Sequence, residues 1–169
     1  MTKWMLLGAL LGLGGCASHH CDNSNDFNSN GKASLVDSPC YVDHLIYQND
    51  MLQAKLLVSE RGEQNTQLAK ALLERSASRD QSGEAEFYQA VLLLRDGTEL
   101  VEAVRLLRVA ARYQHPLAIA LLSQALSNID PQQSAEYRAD YAQLDVAKSG
   151  YPSFVQAQKV ADGLIAPTH

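Results

Sequence analysis

Apolar residues along this chain recur at helical rather than strand spacing. Between residues 98 and 113, Leu100, Val101, Val104, Leu107 and Ala111 follow a 3.6-residue period, while Glu102, Arg105, Arg108 and Arg112 fall on the other side. The pattern predicts a helix that buries the first set. The second set reads as a solvated face, with a binding surface as the alternative. The same periodicity predicts helices over 40–60, 64–77, 84–95, 98–113, 116–128, 132–148 and 152–164. Their punctuation has physical causes. Gly62 and Gly97 can take positive φ and close the first helix of a hairpin. In "NIDP" (128–131) Pro131 starts the next helix, and Pro116 and Pro152 take first-turn positions.

These helices repeat. "KLLVSERG" (55–62) aligns with "AVLLLRDG" (90–97) at an offset of 35. "LAKALLERSA" (68–77) aligns with "EAVRLLRVAA" (102–111) at an offset of 34, and "ARYQHP" (111–116) returns as "AKSGYP" (147–152) at an offset of 36. A period of this length marks stacked helical hairpins. The fold class is therefore all-α, an α-solenoid of about three hairpins over residues 37–169. Ala69, Ala77, Ala85, Ala90, Ala103, Ala110, Ala111, Ala118 and Ala147 recur where paired helices must approach closely.

Composition narrows the class without naming a function. The 169 residues suffice for one domain with a real core. Hydrophobic content of 46% and charged content of 20% are those of a globular protein. A formal charge of -5 gives no electrostatic reason to expect nucleic acid, which rewards a basic face. After residue 16 no apolar run is long enough for a transmembrane helix.

The first 16 residues carry a sharper signal. Lys3 precedes an apolar stretch from Trp4 to Leu13, then Gly14, Gly15 and Cys16. The stretch suits the core of a signal peptide and is too short to span a bilayer. "LGGC" resembles the lipobox of bacterial lipoproteins. The resemblance implies cleavage before Cys16, so that 1–15 is the signal peptide, and lipidation of the Cys16 thiol. It also implies anchoring through acyl chains, which exceed what stable membrane attachment needs. In that family an aspartate after the cysteine retains the protein in the inner membrane. Ala17 stands there, which implies the periplasmic face of the outer membrane, with the inner membrane as the alternative.

Residues 16–36 are rich in Asn, Ser, Asp and Gly and read as a flexible tether. His19, His20, Cys21 and Asp22, with His44, could be read as metal ligands, but a flexible tether does not fix tetrahedral geometry, so no metal is expected. With Cys16 lipidated, Cys21 and Cys40 form an even pair in an oxidising compartment. A disulfide between them and two unpaired thiols are both open.

The segment 85–126 resembles the Sel-one-like repeat family, a relative of the tetratricopeptide repeats. Ala85, Gly97, Ala103, Ala110, Ala111, His115, Pro116 and Ala118 fit its pattern. Ala90 and Ser123 replace the glycine of the first helix, Leu93 a usual tyrosine, and Gln114 the turn glycine, which returns as Gly150. A looser tetratricopeptide-type array is the near alternative. The resemblance implies a superhelix whose concave face binds proteins, with Glu86, Gln89 and Gln124 as candidate groove contacts. Lipid-anchored members of such families act as assembly factors in envelope machinery.

No constellation names an enzyme. The chain has no Gly-x-Ser-x-Gly elbow, phosphate loop or His-Glu-x-x-His. Ser29 and Lys32 have Ser-x-x-Lys spacing, but they sit in the tether, where nothing preorganises a nucleophile. The expectation is a non-catalytic protein without cofactor. It is tethered to the membrane and binds protein partners in the envelope as a scaffold. The second reading is a regulator or inhibitor of one periplasmic enzyme or toxin, and a hydrolase comes third.

Overall fold

The computed structural model describes residues 39–97, 99–145, 150–151 and 153–166. Among them every regular element is a helix: α1 (Pro39–Glu60), α2 (Glu63–Ala77), α3 (Glu84–Asp96), α4 (Leu100–Arg112), α5 (Pro116–Leu126), α6 (Pro131–Ala142) and α7 (Phe154–Ile165). None of these helices is long and apolar enough to cross a membrane.

The helix ends follow the chemistry of their caps. Gly97 adopts left-handed φ, +68°, and donates its N–H to Leu93 to close α3. Asp130 caps α6 by accepting from the Gln133 amide, with Pro131 in the first turn. Pro116 opens α5 in the same way. At the end of α1 the left-handed residue is Arg61, φ +59°, rather than Gly62. Gly62 takes φ +95° and ψ 150°, a region only glycine visits readily. Besides the start of α4 (Leu100 rather than 98) and the end of α5 (Leu126 rather than 128), two boundaries move from the sequence expectation. α6 ends at Ala142 rather than near 148, because the chain turns at Gln143 and Leu144, whose amides return to Asp140 and Tyr141. α7 begins at Phe154, after Ser153 accepts from the Gln156 amide as its cap.

The compact body runs from residue 43 to the end of the described chain. Consecutive helices pack on one another, α2 on α3, α3 on α4, α4 on α5 and α5 on α6. α7 packs on α5 and also touches α3 and α6. The core holds Phe87, Leu73, Leu92, Leu107 and Leu122, with Ala69, Ala85, Ala90, Ala103, Ala110 and Ala118 fully buried between helices. Those alanines allow the close approach that the packing needs. Ser123 is buried against α6 and donates to the Ser134 carbonyl at 2.9 Å.

The buried face of α4 differs from the expectation. Leu107 is buried, but Leu100 is 51% and Val101 87% exposed, and Val104 and Ala111 are half-buried. The buried set is Ala103, Leu106, Leu107 and Ala110. The cause lies in α3: a Cβ on Gly83, at its N-cap, would stand 2.6 Å from the Ala110 Cα. Only small side chains fit where the two backbones come this close. The alanines therefore take the interface, and the bulkier Leu100 and Val101 turn outward at the start of the helix.

Candidate functional site

The chemistry of the described residues concentrates in the loop before α3. Asp80 is buried and gathers four donors. The Tyr47 hydroxyl donates at 2.9 Å, the Ser82 amide at 2.8 Å, the Ser82 hydroxyl at 2.7 Å and the Ala85 amide at 2.6 Å. Burial works to raise the Asp80 carboxyl, but the bonds from Ser82, Ala85 and Tyr47 outweigh it and hold the group below its usual range. The same burial, with Asp80 beside it, pushes the Tyr47 phenol up. Asp80 thus ties α1 to the N-terminus of α3, where a negative charge is favoured.

Glu86 and His115 border this knot. Glu86 is half-buried, and its Oε2 is buried without a hydrogen-bond partner. Burial raises its carboxyl, and nearby Asp80 adds to this against the pull of Arg105. His115 stacks on Phe87 with ring centroids 4.7 Å apart, and its Nδ1 accepts the Ala118 amide to cap α5. Burial lowers the imidazole to about 4, opposed by Asp80 and assisted by Lys55. Ser82 spends its hydroxyl proton on Asp80 and His115 spends a ring nitrogen on backbone. Neither is aligned on the other as nucleophile and base; the arrangement fastens helices.

The other anticipated residues lie apart from this cluster. Cys16 and Cys21 fall outside the described residues, as do His19, His20, Asp22, Ser29 and Lys32. Cys40 is the second residue of α1. His44 is exposed on the same helix and hydrogen-bonds Gln48 at 2.8 Å. Among the described residues, no three His, Cys, Asp or Glu side chains are placed to hold a metal ion. Gln89 is half-buried one turn beyond Glu86 on α3. Gln124 is exposed on α5 and lines an open cleft with Ser127, Pro131, Arg138 and Gln158. That cleft is built from α5, α6 and α7. On α4, Glu102 and Arg105 pair with each other, and Arg108 donates across to Gln133 at 2.9 Å.

Sequence reasoning passed over three features. "DQSG" (80–83) before a helix is a polar turn with capping residues, and this signal could have found Asp80. Arg61 and Arg95 have no local signature. Arg61 donates to the carbonyls of Gly163 (2.9 Å) and Ala166, and Arg95 to those of Leu164 and Val58 (2.7 Å for the latter). Together they bind the C-terminal end of α7, where cations are favoured. The third is the outward face of α1, which carries a row of exposed apolar side chains. Compared with protein-family models, curated proteins and solved structures, the chain matches none of them.

Proposed function

We propose that this chain is a lipoprotein anchored through Cys16 to the periplasmic face of the outer membrane. In this reading its helical body is a protein–protein interaction domain, serving as a scaffold or assembly factor for a cell-envelope complex. The observation that carries it is the run Leu13-Gly14-Gly15-Cys16 behind Lys3 and an apolar stretch, followed by a polar tether. The body adds support. From α2 to α6 its helices are joined by short connections, pack on one another in order and meet through alanines, as in repeat arrays. We read it as a short α-solenoid of about three hairpins, with α7 as its closing helix. The protein works by binding and needs no cofactor. In-cell crosslinking followed by affinity purification tests the role. A scaffold retrieves several envelope proteins together; one tight one-to-one partner would instead identify an inhibitor.

A further inference from the structure

α1 is apolar on two opposite faces. One face turns into the body through Met51, Ala54 and Val58, which are buried. The other turns to solvent: Val42 is 48%, Leu45 45%, Leu52 58% and Leu56 55% exposed. Asn49 and Ser59 are also exposed. The intervals in the series 42, 45, 49, 52, 56, 59 alternate between three and four residues, the heptad seam of a coiled coil. Val42, Asn49 and Leu56 occupy a positions, and Leu45, Leu52 and Ser59 occupy d positions. The body needs none of these side chains for its own core.

We propose that this face pairs with a second copy of the chain, as a parallel, in-register two-stranded coiled coil formed by α1. This inference does not rest on the lipoprotein reading. Three observations select the occupant. In the first two heptads of the seam, Leu45 and Leu52 at d with Val42 and Asn49 at a follow the pattern that favours two parallel strands; Leu56 at a and Ser59 at d depart from it. Asn49, the polar residue in the middle of the seam, meets its own twin only in this register and can hydrogen-bond to it. An antiparallel pair would set Asn49 against Leu52 and leave the amide unpartnered in an apolar seam. The flanking charges agree. Lys55 at g faces Glu60 at the following e position of the other copy, so the pair forms twice across the two-fold axis. In the antiparallel arrangement Lys55 and Glu60 would instead face Tyr41 and Ile46. Within one chain the Lys55 ammonium already donates to Glu84 at 3.0 Å, which spends one of its three donors and leaves it able to serve Glu60 as well. The seam covers between two and three heptads, so the dimer is reversible and concentration-dependent.

Cysteine crosslinking of the full chain in intact cells tests the arrangement. Leu52→Cys places one thiol at a d position, opposite itself only if the pairing is parallel and in register. Leu68→Cys, at a position that is also exposed but on α2, is the control. The expected result is a covalent homodimer from Leu52→Cys, above the level given by Leu68→Cys and by the unsubstituted chain. A crosslink from Leu52→Cys to a different protein, or none above control, overturns the proposal. A second measurement uses sedimentation of the purified full chain in detergent. Leu52→Asp should weaken self-association by about 100-fold or more, because it removes a buried leucine pair and opposes two carboxylates. Its helical content and melting temperature should stay at the unsubstituted values in the monomeric range, since Leu52 lies outside the core. Sedimentation of the unsubstituted chain as a monomer up to about 100 µM would overturn the proposal independently.

Discussion

Gln114 is held at φ +60°, where a side chain costs about 1 to 2 kcal/mol. It follows the end of α4 and donates to the Ala111 carbonyl at 2.9 Å, while the His115 amide returns to Ala110 at 3.2 Å. This double closure calls for glycine at the left-handed position. Gln114→Gly should therefore raise the melting temperature, by up to about 1 kcal/mol in stability, as thermal unfolding will show. Had the site been unstrained, the change would lower it. This position was legible in the sequence as the place where the repeat pattern expects glycine, and Gly150, its counterpart, is also left-handed at φ +71°. The role of the next residue was not legible. Nothing local in the sequence marks His115, because its partners Phe87 and Ala118 arrive only with folding. Its buried imidazole titrates at about 4, below the ordinary value of 6.5. The unfolded chain thus takes the proton first as pH falls. The stabilisation is complete above pH 6.5, declines through the window down to about 4, and amounts to about 3 kcal/mol. In His115→Asn, which keeps a capping acceptor, denaturant unfolding should lose that part of the pH slope. An unchanged slope would refute the assignment.

At the scale of elements, the helices were legible and their faces only partly so. Periodicity with Gly97, Pro116 and Pro131 located α3, α5 and α6 because those signals act within a few residues. The rotation of α4 depends on how near α3 can come, which hydrophobicity alone does not encode. Leu100 and Val101 are the most apolar choices at the start of α4, yet Ala103 and Ala110 are buried in their place. Gly83 controls that approach. It stands at φ +72° with its Cα against the Ala110 backbone, so a methyl group would meet both strain and a collision. Gly83→Ala should destabilise the body by about 2 to 4 kcal/mol in denaturant titration. A loss below about 1 kcal/mol would mean that α3 and α4 separate easily. α1 was legible as a helix, but not as one with two apolar faces. Only its packing shows which leucines the body leaves uncovered.

For the molecule as a whole, the helical class of the described residues and the order of their helices could be read from periodicity. The fastening of α7 could not. Arg61 and Arg95 reach backbone carbonyls about a hundred and about seventy residues away, and a carbonyl leaves no mark in the sequence. Glu86 borders the Asp80 knot, and Gln124 opens onto a cleft with α6 and α7. The proposed function rests on attachment through Cys16 more than on any side-chain cluster in the body. The most direct measurement is metabolic labelling with palmitate in a cell that processes lipoproteins, comparing the full chain with Cys16→Ser. Label is expected on the full chain in the membrane fraction. The Cys16→Ser chain should carry no label and leave the membrane. Label that persists on Cys16→Ser, or a full chain that takes none, would contradict it.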